Sequence, residues 1–279
     1  MTFNLCQHFS QYFSLLVANE RSLLEEVYKI RYKVYCEELN YESPANFPDG
    51  MEIDIYDRHS LHCLLRHKST GMYTGCVRII LPPNETNFTR LNHIHETSEY
   101  SIGEFAFPWQ KFSSSLVYPS PGYQWTDICE VSRLAVRSEF RKRKGDDIIP
   151  LDAGSSNNSD GKRRFPLIAM SLYWAAFCLA LNLELDVFAI MEPRLARHLR
   201  RCGLRYSIIS SLFEHRGKRA IFYAKPTELL EYLDSETYEF FSFLNDTICQ
   251  QLLEDKIIYS PYKLEENSTK YQEDIALVK

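Results

Sequence analysis

Three arginines and a set of carboxylates carry the first chemical signal in this chain. Arg31 lies in a run of apolar residues at three- and four-residue spacings. After a loop come Gly50, Glu52, Asp54, Tyr56 and Asp57. Arg78 follows in Gly75-Cys76-Val77-Arg78-Ile79-Ile80-Leu81-Pro82, and Arg133 closes Glu130-Val131-Ser132-Arg133. An arginine fork meets a carboxylate through two parallel hydrogen bonds, so Arg31 with Asp57 and Arg78 with Asp54 can be ion pairs that tie the N-terminal segment to the body. Eight cysteines stand singly with no CxxC pair. In a long chain that pattern describes reduced thiols used as small hydrophobes, with neither a zinc site nor a disulfide framework. His59, His62, His67, His93 and His95 have ligand chemistry. His59 and His62 point to opposite faces of an extended strand, however, and no acidic helix motif accompanies them, so no metal is expected.

Taken in order, these elements resemble the acyl-homoserine-lactone synthases. The first helix carries Arg31 with Val34 and Tyr35, followed by Leu39 and Tyr41; GxExDxYD runs over 50–57, the Gly75 to Pro82 motif follows, and ExSR ends at Arg133. The likeness extends to the PEP-CTERM/exosortase system-associated acyltransferases and the N-acyl amino acid synthases, and it covers roughly residues 20–225. It implies an α/β chain of the GNAT acyltransferase fold, a mixed, mostly antiparallel sheet flanked by helices. It also implies an enzyme that moves a long acyl chain from a thioester to an amine, the donor being acyl-ACP or acyl-CoA with no tightly bound cofactor.

The resemblance also assigns roles. An α-amino group with an ordinary pKa of about 8 must lose a proton before it attacks a thioester. Glu130 is the expected general base, acting through a water, with Ser132 and Arg133 beside it. Arg31, Tyr35, Tyr41, Asp54, Asp57 and Arg78 form the expected acceptor site, the aspartates for an amine and an arginine for a carboxylate. Tyr35 and Tyr41 stand where the lactone synthases carry Phe and Trp, which keeps an aromatic wall but changes its polarity. Many acetyltransferases cradle the coenzyme pyrophosphate in an [R/Q]xxGx[G/A] loop at a helix N-terminus. Here that place reads Arg141-Lys142-Arg143-Lys144-Gly145. Arg137, Arg141, Lys142 and Arg143 are accordingly expected to meet the donor as an acyl carrier protein, unless they form a solvated basic loop. Phe105, Phe107, Trp109 and Trp174, with Phe112 nearby, are the candidate wall of the acyl pocket, or ordinary core. Two alternatives stay open: a lactone (autoinducer) synthase using S-adenosylmethionine, and a non-catalytic acyl- or carrier-binding module of a protein-sorting system.

The elements that must position these residues follow from periodicity. Residues 20–39 read as an amphipathic helix that sets Arg31 and Tyr35 one turn apart. Residues 61–66 and 73–81 read as strands joined by a hairpin, and 128–136 as a third strand. On that strand Glu130 and Ser132 share one face, and Arg133 joins them only if a bulge intervenes. Residues 145–164 read as a mobile loop and 166–181 as a helix. A strand at 184–191, a helix at 193–202 closed by Gly203, and a hairpin of 204–213 with 220–225 complete the pattern.

Composition bounds the rest. The 279 residues are 45% hydrophobic, enough to bury a sizeable core. The longest apolar run, 167–183, is interrupted by Ser171 and Asn182 and reads as a buried helix, so no transmembrane segment is expected. The N-terminus has no basic-then-apolar leader pattern, and a cytoplasmic location is expected. The net charge of −5 hides an asymmetry: residues 226–279 hold twelve acidic and four basic residues, and the remainder 25 and 28. The body's basic clusters, including Arg194, Arg197, Arg200, Arg201 and Arg205, suit a phosphate-bearing or acidic partner, while the pI near 5.9 argues against a nucleic-acid binder. The expected layout is an acyltransferase domain over 1–225 and an acidic helical extension over 226–279, in which 229–253 caps the acyl pocket, meets a second subunit or completes the core. Acceptor identity and oligomeric state are not read from sequence.

Overall fold

The computed structural model describes residues 4–82, 107–117, 127–141 and 167–258. Its centre is an eight-stranded sheet that starts at the edge strand β1 (Phe13–Val17) and runs through β2 (Ser60–His67), β3 (Tyr73–Ile80), β4 (Ile128–Val136), β5 (Asp186–Met191) and β8 (Lys218–Ala224) to β6 (Ser207–Ile208), with β7 (Phe213–Glu214) also paired to β8. Strands β2, β3 and β4 run antiparallel, and β5 lies parallel to β4. Strand β8 returns antiparallel to β5 and carries the short β6 and β7. This is the mostly antiparallel GNAT-like architecture that the motif order implies.

Alternation along the strands sorts the apolar side chains onto two faces. On one face Leu61, Cys63, Val77, Ile79, Val131 and Val187 pack against α3 (Leu167–Asn182), which is apolar all round and almost wholly buried. On the other, Leu64 and Cys76 meet α2 (Arg21–Tyr32), while Ile80, Phe188 and Ile221 meet the aromatic 3₁₀ segment Pro108–Ser115. The charged residues lie on this second face, where Arg78 and Glu130 occupy neighbouring strands. Gly75 is required where β3 passes β4, because a Cβ there would stand 2.6 Å from the Ala135 carbonyl oxygen.

The helix expected over 20–39 forms in two parts. After α2 the chain widens into a π-helix, Lys33–Glu38, with Leu39 N–H bonded to the Val34 carbonyl at 3.0 Å. The third strand, the helix at 167–182 and the helix α4 (Pro193–Arg201) form close to their expected positions. Gly203 ends α4 with φ +85. The hairpin arm expected over 204–213 is broken instead. Val117 and Ser211 N–H groups bond to Ile209 and Ser115 carbonyls, and of this arm only the short β6 and β7 form strands on β8.

Two elements at the start of the chain went unread. Helix α1 (Leu5–Tyr12) leads into β1 (Phe13–Val17), an edge strand whose alternate side chains Phe13, Leu15 and Val17 are buried. After the turn α5 (Pro226–Leu229), α6 (Ser235–Glu254) lies across β1 and α3. Its Phe240, Phe241, Leu244 and Ile248 belong to the main core, and its Gln251 bonds to Val17 N–H (2.8 Å) and the Leu15 carbonyl (3.1 Å), covering the sheet edge. Of the roles weighed for 229–253, α6 completes the core on the face away from the charged cluster. The loop expected over 145–164 lies outside the described residues. No described helix is long and apolar enough to cross a membrane.

Candidate active site

The acidic turn after α2 folds its carboxylates inward onto the arginines. Arg31 donates from Nε to Glu52 Oε2 (2.5 Å) and from Nη1 and Nη2 to Asp57 Oδ1 (2.5 Å) and Oδ2 (3.0 Å). Arg78 donates from Nη1 to Asp54 Oδ1 (2.6 Å) and Asp57 Oδ1 (2.8 Å), and from Nε to Ser132 Oγ (3.0 Å). Asp57 also accepts the Asp54 N–H at 2.7 Å, which fixes the turn itself. Burial alone would raise the Asp57 carboxyl, but Arg31, Arg78 and His62 outweigh it and hold the group far below the usual carboxylate range. Asp54 is lowered in the same way, burial being outweighed by Arg78. Burial likewise opposes the charge on Arg31, and Asp57 with Glu52 more than restores it.

Exposure divides this cluster into two shells. The Arg31 side chain is 0% exposed, Arg78 1% and Asp57 2%, and their polar contacts are with one another and with Glu52, Asp54, Ser132 and His62. These three were expected to touch the acceptor. In the structure all three are buried, with two arginine forks and three carboxylates neutralising one another. Asp54 at 20% and Arg133 at 23% remain at the surface of the cluster, 3.1 Å apart. Glu52 went unassigned although it stands in the motif with Asp54 and Asp57; it binds both Arg31 and Arg133, the latter at 3.1 Å. Its position two residues before Asp54 was the available signal.

Arg133 reaches this group through a bulge. Cys76 pairs with Ala135 and Arg78 with Ser132, so Val77 alone faces both Arg133 and Leu134. Arg133 takes φ +49, a left-handed conformation uncommon for a side chain of its size. The extra residue brings Arg133 to the face already carrying Glu130 and Ser132, which meets the condition the sequence imposed. Tyr35 fixes the same spot, donating its hydroxyl to the Leu134 carbonyl at 2.9 Å. Its ring lies between Arg133, 5.5 Å from the centroid, and Tyr41, stacked at 6.5 Å.

Beside the bulge the parallel strands part company. β4 and β5 pair only from Ile128 with Asp186 to Val131 with Ala189, although β4 runs on to Val136 and β5 to Met191. Glu130 lies in the paired part, one residue before pairing ends. It is 3% exposed and accepts the Trp109 N–H at 3.0 Å. Burial pushes its carboxyl up to about 7, while the Trp109 bond, Arg78 and Arg133 pull the other way. A carboxyl titrating near neutrality, next to a widening seam between strands, is equipped to exchange a proton with a ligand in that seam.

The expected acyl-pocket residues do not come together. Phe107 stacks on Trp109 at 6.3 Å, and Trp109 meets Phe188 edge-on at 5.1 Å, all on the face of Glu130. Trp174 packs against Phe241 and Phe177 in the other core, on the far side of the sheet. Its place on α3, which covers that face, takes it out of any wall shared with Trp109. Phe105 lies outside the described residues.

The expected donor residues are largely engaged within the chain. Arg137 pairs with Glu139 (3.0 Å), Lys33 reaches the same carboxylate (2.5 Å), and Arg141 pairs with Glu38. Arg137 and Arg141 thus already have carboxylate partners within the chain, and Lys142 and Arg143 lie outside the described residues. Helix α4 differs. Arg194, Arg197, Arg200 and Arg201 are exposed, make no ion pair with another described residue, and at about 100° per residue fill an arc of roughly 120° opposite the buried Ala196 and Leu199. The helix begins two residues after β5 ends, at the edge towards which the β4–β5 seam widens.

Sequence comparison matches residues 30–149 to the acetyltransferase (GNAT) domain family. Solved structures similar to the chain include TofI in complex with an inhibitor and MTA, at 20% identity, covering 80% of this chain and 99% of that one with a TM-score of 0.48. The acyl-homoserine-lactone synthase LasI is similar at 18% identity over 78% of this chain and 94% of that one, TM-score 0.48. FeeM, an N-acyl amino acid synthase from uncultured soil microbes, is similar at 13% identity over 82% and 97%, TM-score 0.43. No curated protein matches the chain. The class that the sheet order and the matched segment define is one of fold: a mixed, mostly antiparallel GNAT-like architecture with an acetyltransferase (GNAT) domain match over residues 30–149.

Proposed function

We propose that this enzyme moves a long-chain acyl group from a carrier thioester to the amine of an amino acid or similar small acceptor. Glu130 carries the reading: a buried carboxyl raised to about 7, one residue from the opening between β4 and β5, on the face that also presents Ser132 and Arg133. Through a water, Glu130 takes the proton that the attacking amine must shed. The new N–C bond forms as the C–S bond breaks, and the thiol leaves with a proton. A backbone N–H of β4 would hold the thioester oxygen as charge builds on it. Asp54 receives the acceptor amine and Arg133 its carboxylate, since these are the members of the ionic cluster with exposed surface. Tyr35 and Tyr41 wall the acceptor, and Arg31, Arg78 and Asp57 hold the wall in place. Phe107 and Trp109 border the acyl end.

An acyl carrier protein is the donor that suits α4, whose exposed arginines, which make no ion pair with another described residue, border the end of β5; the arm would pass between β4 and β5 beyond the point where their pairing ends. A cytoplasmic location accompanies the reading, and a link to PEP-CTERM/exosortase systems rests on sequence resemblance alone. Mass spectrometry of organic extracts from cells expressing the chain tests it, and acyl amides absent from controls are the expected result. Acyl lactones in their place would assign the S-adenosylmethionine reaction, and the absence of both would leave a non-catalytic carrier-binding module.

A further inference from the structure

The tip of the β7–β8 hairpin crosses from the second half of the sheet to the acceptor side. Arg216 takes φ +53 and is followed by Gly217 at φ +96, with His215 N–H closing on the Gly217 carbonyl at 2.9 Å. From this turn Arg216 Nη2 donates to the Tyr41 carbonyl at 3.0 Å and to Glu42 Oε1 at 2.6 Å, and its guanidinium stands 5.2 Å from the Tyr41 ring centroid. Glu42 Oε1 lies 3.7 Å from Arg133 Nη2. Arg216 therefore reaches Arg133 by two routes, through the Glu42 carboxylate and through the stacked Tyr41 and Tyr35 rings.

The residues it grips need holding. The Leu39 to Glu42 stretch leaves the π-helix through Asn40 at φ +52, and the N–H groups of Tyr41 and Glu42 both hang on the Tyr35 carbonyl, at 2.7 and 3.2 Å. Tyr41 is 38% exposed, so little core fixes its ring. The other side of the hairpin is anchored, Phe213 stacking on Phe112 at 4.2 Å beside the aromatic segment that supplies the Glu130 hydrogen bond.

We infer that Arg216 is a positioning residue of the acceptor site, clasping Tyr41 and Glu42 so that the acceptor's amine and carboxylate meet Asp54 and Arg133 in one pose. The inference rests on the proposed acceptor site, and the test separates the two. A small acyl-pantetheine thioester and a panel of L-amino acids are used as substrates, with acyl amides read by mass spectrometry. Losing a charge-assisted contact predicts that Arg216→Ala raises the acceptor KM on the order of tenfold, with kcat and donor KM within about twofold of wild type. Glu42→Gln should do the same, the double variant should be no worse than either single one, and Arg216→Lys should recover part of the loss. Melting temperature should hardly move, because Arg216 and Glu42 form a partly exposed pair. An unchanged acceptor KM in Arg216→Ala, alongside a raised one in Asp54→Asn, overturns the clasp and leaves the acceptor site standing. Unchanged acceptor KM in both variants overturns the clasp together with the site beneath it.

Discussion

A glutamate of ordinary acidity is a weak base for an amine at neutral pH, and Glu130 escapes that weakness by being buried. Its transfer rate should rise with pH through an apparent pKa near 7, as the carboxylate that accepts the proton forms. Glu130→Gln should abolish that limb and lower single-turnover transfer by roughly 100-fold or more. The same burial has a signature in stability. The folded value lies above the ordinary 4.5, so protonated Glu130 favours the folded state; that contribution is complete below the unfolded value and is lost as pH rises through about 7. Glu130→Gln should leave the melting temperature little changed at pH 5 and raise it at pH 8, an outcome opposite to its effect on rate. Arg31 behaves in the reverse sense. Removing it strands Asp57 and Glu52 without their shared fork, so Arg31→Ala should cost about 3–5 kcal/mol in denaturant unfolding. A stable Arg31→Ala protein with a raised acceptor KM would instead return Arg31 to the binding surface.

At the scale of elements, the β4 bulge decides the site. A strand without it would turn Arg133 to the α3 side, where Val131 and Leu134 pack. Because Arg133 has positive φ, Arg133→Gly should keep the bulge and lose only the guanidinium. Arg133→Val should be less stable than Arg133→Gly by roughly 1–2 kcal/mol, the left-handed penalty of a residue with a Cβ, as measured by chemical denaturation. Helix α4 is the second decisive element. Reversing Arg197 and Arg201 to Glu should slow turnover of a carrier-bound donor and steepen nothing for a small pantetheine thioester, while the wild-type advantage with the carrier should fade as salt rises past physiological strength. Equal losses with both donors would remove α4 from docking.

At the scale of the whole molecule, α6 and β1 close the core. Phe240 and Phe241 are buried against α3, and Asn245 Oδ1 accepts the Asn182 Nδ2 hydrogen at 2.8 Å between the two helices. A chain ending at residue 225 would bare that face of α3 to water. It should lose cooperative thermal unfolding, and even Phe241→Ala in the full chain should cost about 3–5 kcal/mol. A soluble, cooperatively folding 1–225 protein would show that the C-terminal region is dispensable for the core.

The central strands, the two helices after them and the motif positions are legible in the chain, because those segments carry unbroken periodicity and their glycines stand where backbones meet or turn, as Gly75 and Gly203 do. The sequence also placed Glu130 beside Arg133 in the chain and named the bulge as the condition for them to share a face. Which charges are buried and which keep an exposed edge followed from the tertiary packing alone. Arg31 and Asp54 look equivalent in sequence, and burial depends on what packs over them: Arg31 is sealed beneath the acidic turn, while Asp54 keeps an edge in the open. The same limit hid the fate of Trp174, since a single aromatic in an all-apolar helix does not reveal which side of the sheet that helix covers. It hid α6 as core as well, because an acidic amphipathic helix is written identically whether its apolar stripe meets a ligand, a second subunit or α3.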